Sequence, residues 1–108
     1  MFEEFFYYYD IVVAGDKYLI EIDMPGVSIE KIELAIQPML LTVNVNKEEK
    51  KEDYKYIIKG RMEISKQHII PIPEDVDMDK IKATLKDGVL RIEIGRKIGK
   101  KIIEIKAV

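Results

Sequence analysis

The sequence predicts an all-β fold, a sandwich of short antiparallel strands, on three observations. Ile and Val number 19 and 8 in 108 residues, and β-branched side chains suit the pleated sheet. Apolar residues recur at every second position through most of the chain, and nowhere does a 3.6-residue period persist long enough for a core helix. Turn-forming pairs, Pro25-Gly26, Gln37-Pro38 and Asp87-Gly88, separate the alternating runs. The length suits a single domain with two ends and is too short for two domains.

The alternation opens at 17–24, where Tyr18, Ile20, Ile22 and Met24 lie on one face and Lys17, Leu19, Glu21 and Asp23 on the other. Pro25-Gly26 ends this half-buried strand, Pro fixing φ and Gly accepting the positive φ of a type II turn. Ile32, Leu34 and Ile36 alternate with Lys31, Glu33 and Ala35 until Gln37-Pro38. A strand over 39–46 points Leu41, Val43 and Val45 inward, with Leu40 as an apolar contact on its polar face. The charged run 47–53, KEEKKED, is an exposed loop or a projecting hairpin.

Tyr54, Tyr56 and Ile58 restart the alternation, and Gly60 interrupts it. Ile64, Lys66, His68, Ile70 and Ile72 share one parity, which gives that strand a mixed face. Pro71 and Pro73 lack an N–H and assign its end to a sheet edge. Residues 74–80 form a polar connection with room for one helical turn. Ile81, Ala83 and Leu85 then alternate, Asp87-Gly88 is the strongest hairpin signal in the chain, and Leu90, Ile92 and Ile94 return. Seven to eight short strands result. Two packed layers bury one apolar face of each, and the prolines and loosened tail favour an open sandwich over a closed barrel.

Composition excludes many activities. No Cys is present, which removes disulfides, thiolate ligands and a Cys nucleophile, and the lone His68 cannot build a multi-His metal site. Glu48, Glu49, Glu52 and Asp53 lie among lysines without a His or Cys to complete a ligand set. Ser28 and Ser65 lie outside any G-x-S-x-G elbow, and neither phosphate-binding glycine motif occurs. No enzyme, cofactor or metal is expected, and His68 reads as a surface or interface residue, with a role as a pH sensor if it lies at a subunit contact. With 18 basic and 20 acidic residues, a nucleic-acid coat or polybasic membrane anchor is disfavoured. No apolar run reaches transmembrane length, and the N-terminus lacks a secretory pattern, so a cytoplasmic protein is expected. Three Arg against 15 Lys, with high Ile and Glu and no Cys, suggest a thermophilic source.

The ends carry their own signals. Six of nine aromatics fall within residues 2–9: either a strand or turn folded onto the domain, or an adhesive arm. Gly95 and Gly99, set in a basic stretch of Arg96, Lys97, Lys100 and Lys101, loosen the tail, where Ile103 and Ile105 suggest a detached β segment that docks elsewhere. The chain divides into an arm, 1–10, a sandwich domain, 11–95, and an extension, 96–108.

DMPGV (23–27), PEDVDMDKIKATLKDGVLRIEI (73–94) and the closing IEI (103–105), in that order and spacing, resemble the alpha-crystallin domain of the small heat shock proteins; the most specific stretch is ATLKDGVL (83–90), similar to A-x-x-x-(N/D)-G-V-L. The resemblance implies an immunoglobulin-like sandwich that forms dimers and larger homo-oligomers, and an ATP-independent holdase that captures partly unfolded client proteins under stress. It implies that Ile103 and Ile105 anchor the tail in a neighbour's groove walled by Leu34, Ile36, Ala83 and Leu85. Tyr54, Tyr56 and Ile58 match a strand exchanged between subunits, and Phe2, Phe5, Phe6, Tyr7, Tyr8 and Tyr9 form a client-binding arm. Where relatives carry an aromatic and an arginine before the L-P step, this chain has Lys66 and His68, and the step is Ile72-Pro73. The rival reading is a CS or p23-like co-chaperone, a protein-binding module without oligomer assembly.

Overall fold

The computed structural model describes residues 8–47, 53–97 and 103–108. Seven strands form two antiparallel sheets: β1 (Tyr9–Ala14), β2 (Lys17–Asp23), β3 (Ile32–Gln37), β4 (Leu40–Val45), β5 (Gln67–Pro71), β6 (Val76–Lys86) and β7 (Val89–Arg96). One sheet runs β1-β2-β7-β6 and the other β3-β4-β5. The residues predicted to point inward do so. Ile20 lies opposite Ile92 and Ile22 opposite Leu90, and these pack against Leu41, Val43 and Ile70 of the second sheet in one buried cluster. Each such fully buried aliphatic side chain contributes about 1.5–3 kcal/mol. No helix among the described residues is long and apolar enough to cross a membrane.

The turns follow their chemistry. Gly26 has φ +75° and the Val27 amide donates to the Met24 carbonyl at 3.2 Å, as a type II turn requires. Asp87 and Gly88, at φ +52° and +75°, make the I′ turn whose twist matches its two strands. Between β3 and β4 the turn is Pro38-Met39, with Met39 at φ +65°, a conformation rarely adopted by a side chain of that size.

Four expectations are corrected. β1 has no counterpart in the period-two reading, because Ile11, Val12 and Val13 are consecutive and all exposed; it is an edge strand held by its ladder to β2. Residues 76–80 belong to β6 and make no helical turn, since Val76 is buried in the core and a register shift between Asp77 and Ile81 absorbs the polar stretch. Gly95 does not loosen the tail. It lies inside β7, opposite Lys17 and Asp77, where a Cβ would come within 2.9 Å of the Lys80 Cβ. Residues 54–66 form no strand within this chain, whose sheets end at β5 and β1 on that side. The charged run lies mostly outside the described residues, as does Gly99.

Candidate functional site: the open edges of the sandwich

His68 of β5 lines one cleft together with Tyr9, Asp10 and Glu21 of β1 and β2. The free edge of β5 therefore lies on the β1 side, and the strand orders bring the other two free edges, β3 and β6, to the opposite side. Ile32, Leu34 and Ile36 on β3, and Ile81 and Leu85 on β6, are half-buried and pack against the core. Their outward neighbours Glu33, Gln37, Lys82 and Lys86 are exposed. Each edge thus presents an apolar row that the chain's own core covers only in part. Ala83, on the same parity as Ile81 and Leu85, is exposed, and its short side chain leaves a notch between two larger ones.

The tail residues are exposed in turn. Ile103 retains 75% and Ile105 92% of its accessible surface, and residues 103–108 make no strand within this chain. Tyr54, Tyr56 and Ile58 are also exposed, and the neighbouring Ile57 is 99% accessible. Around them a Lys59 ammonium lies 5.5 Å from the Tyr56 ring centre and 3.0 Å from a Glu63 carboxylate oxygen. Of the aromatic arm, Tyr8 is exposed and Tyr9 opens β1 half-buried; Phe2, Phe5, Phe6 and Tyr7 lie outside the described residues.

His68 is not a surface residue. It is 7% exposed on the inner face of β5, opposite Val43, and its Nε2 has no hydrogen-bond partner among the described residues. Burial, with the Lys47 charge as a lesser cause, holds its pKa below the ordinary imidazole value, so the neutral ring is favoured. The cleft it lines measures about 590 Å³ and lies between the Pro25 and Gly88 turns and the 62–65 segment. Lys66 is exposed.

A second polar cluster had no signal in the sequence. The Tyr18 hydroxyl donates to Asp75 Oδ1 at 2.6 Å and Arg96 Nε donates to Asp75 Oδ2 at 3.1 Å. The Arg96 guanidinium lies 5.1 Å from the Tyr18 ring centre and donates to the Gly15 carbonyl, while the Lys97 amide donates to the Asp75 carbonyl at 2.6 Å. The Tyr18 hydrogen bond, reinforced by Arg96, draws the Asp75 carboxyl below its ordinary pKa, and the same bond raises that of Tyr18. Asp75 therefore ties the C-terminal end of β7, at Arg96 and Lys97, to the rest of the sandwich. Among the described residues no group of three or more His, Cys, Asp or Glu could hold a metal ion.

Known proteins share this architecture. The chain is 35% identical over 99 residues to small heat shock protein C4 of Rickettsia felis, covering 90% of this chain and 61% of that protein. It is 32% identical over 92 residues to an 18 kDa heat shock protein of Clostridium acetobutylicum, covering 82% and 61%. The chain thus spans 61% of the length of each of these two relatives. Among solved structures, a small heat-shock protein from Xylella fastidiosa superposes with a TM-score of 0.74 at 20% identity over 93% of this chain and 94% of that one. HspA from Xanthomonas axonopodis gives 0.71 at 23% identity, covering 82% and 91%; both show the shared fold. The family model for the Hsp20/alpha crystallin family matches residues 10–108. With its two sheets, its I′ hairpin and its half-covered edges accounted for, the chain belongs to the Hsp20/alpha crystallin family.

Proposed function

We propose that this chain is an ATP-independent holdase that assembles with copies of itself and shields partly unfolded proteins from aggregation. The observation that carries the reading is complementarity: β3 and β6 leave an apolar row half-covered, and the same chain carries two exposed isoleucines, Ile103 and Ile105, spaced two residues apart. An extended segment presents alternate side chains to one surface, so Ile103 and Ile105 match a groove walled by Leu34, Ile36, Ala83 and Leu85. Burying both is worth about 3–6 kcal/mol before ordering costs, a magnitude suited to reversible docking.

At the other side, the free edge of β1 is the place for a second copy's 54–58 segment, which here makes no strand of its own. Strand addition satisfies backbone groups at an open edge. The aromatic arm supplies client contact, since Phe and Tyr offer large apolar area with little geometric demand.

Light scattering from a heated model protein, without ATP, tests the activity. Suppression at near-equimolar chain is expected, and unchanged aggregation would refute the holdase reading. Native mass spectrometry on the same sample separates an assembling chaperone from a monomeric co-chaperone. The Ile103→Ala/Ile105→Ala variant is expected to fall from large assemblies to dimers.

A further inference from the structure

The cleft beside β1 is charged in one sense. Asp10, Glu21, Asp23, Glu63 and Asp87 line it, and no Lys or Arg does among the described residues. Glu21 is bonded to Arg91 at 2.9 Å and Glu63 to Lys59 at 3.0 Å, whereas none of the described residues forms an ion pair with Asp10, Asp23 or Asp87. The cleft is also lined by His68, whose buried Nε2 finds no hydrogen-bond partner among the described residues. A buried nitrogen without a partner costs free energy until an incoming group supplies one.

The exposed segment of the same chain has the opposite charge. Residues 54–61, YKYIIKGR, carry Lys55, Lys59 and Arg61 and no carboxylate, with the Tyr54 hydroxyl able to donate or accept a hydrogen bond.

We propose that the acidic cleft of Asp10, Asp23, Asp87 and His68 receives the basic 54–61 segment of a second copy of this chain, so that charge selects the partner in the exchange. This rests on the strand-exchange reading above and adds to it the side chains that decide which partner is accepted. In a two-fold dimer each copy gives its segment and accepts the other's, so the contact occurs twice. Apposed charges of opposite sign accelerate encounter and reject wrong partners, and salt weakens them.

Charge reversal tests the proposal. One variant carries Asp10→Lys/Asp23→Lys and the other Lys55→Glu/Arg61→Glu, with circular dichroism confirming that each retains its strands. Alone, each variant sets like charges against each other, and its dimer dissociation constant, measured by analytical ultracentrifugation in the Ile103→Ala/Ile105→Ala background, is expected to rise about tenfold or more. Mixed, the two restore both contacts, and heterodimers are expected with an affinity within about threefold of the unaltered chain. A neutral Asp10→Asn/Asp23→Asn variant, expected to weaken the dimer less and to flatten its salt dependence, serves if a reversal variant does not fold.

A deletion of 54–61 separates the two layers of the argument. Charge variants that dimerise as the unaltered chain does, beside a deletion that is monomeric, overturn the charge pairing and leave the exchange standing. A deletion that still dimerises overturns both.

Discussion

The Met24 amide donates to the Gly88 carbonyl at 2.6 Å. That bond joins the type II turn after β2 to the I′ turn before β7, two segments more than sixty residues apart in sequence. The β2–β7 ladder brings them together, with Asp23 opposite Val89 as its last pair. Gly88 is needed there twice over. Its φ is +75°, and a Cβ would lie 3.3 Å from the Pro25 Cα, a backbone atom with little freedom to yield.

Gly88→Ala is accordingly expected to destabilise the fold by about 1–2 kcal/mol from the left-handed backbone alone, with the Pro25 contact adding to it. Asp87→Asn, which keeps a residue tolerant of positive φ, is expected to be nearly neutral. Urea unfolding of the two variants checks the contrast.

Gly95→Ala meets a different obstacle, the Lys80 side chain at the β6 irregularity. Overpacking of this kind costs about 1–3 kcal/mol. Lys80→Gly removes the clashing atoms, so the double variant is expected to be more stable than the sum of the two single changes predicts. A urea double-mutant cycle measures the coupling, and simple additivity would exclude the contact.

Ala83→Leu fills the notch between Ile81 and Leu85 without touching the buried core. The expected outcome is an unfolding free energy unchanged to within about 0.5 kcal/mol, with assembly reduced as in the tail variant. Full-size oligomers in native mass spectrometry would place the tail contact elsewhere.

His68 sets a pH dependence whose sign follows from its burial. Its folded pKa lies below 6.5, so the unfolded chain binds the proton more readily. The His68 contribution is intact above pH 6.5 and is lost as pH falls from there through the folded value. Stability of His68→Phe is expected to lose this step between pH 7.5 and 5, read as urea midpoints across that range.

Asp75 acts at lower pH. Its depressed folded pKa means that its contribution is intact above the ordinary value of 3.8 and disappears as pH falls through the folded one. Asp75→Ala also removes the acceptor for the Tyr18 hydroxyl, so Tyr18 is expected to ionise closer to pH 10, measured by ultraviolet titration with Tyr18→Phe as reference.

Much of this was legible in the sequence where one local rule sufficed. Tyr18, Ile20, Ile22 and Met24 alternate without exception and all are buried, and Pro25-Gly26 and Asp87-Gly88 make the turns their chemistry demands. The core-facing parity of Leu34, Ile36 and Leu85, all half-buried against the core, was legible for the same reason. β1 was not, because Ile11, Val12 and Val13 carry no alternation. His68 shares the parity of Ile70 and Ile72, which points it inward; its polarity suggested the surface, and periodicity prevailed. The Asp75 cluster had no signal, since Tyr18 lies 57 residues away and no local pattern links the two.

Asp75 also bears on the geometry of the assembly proposed above. A tail that docks in a neighbour's groove is a head-to-tail contact, and such contacts close into rings or shells only if successive rotations add up to a full turn. The angle at which the chain departs from β7 enters every one of those rotations. Asp75 holds that departure at two points, the Arg96 side chain and the Lys97 amide, so one carboxylate and one carbonyl bear on whether repeated docking ends in a finite particle or runs on as an open chain.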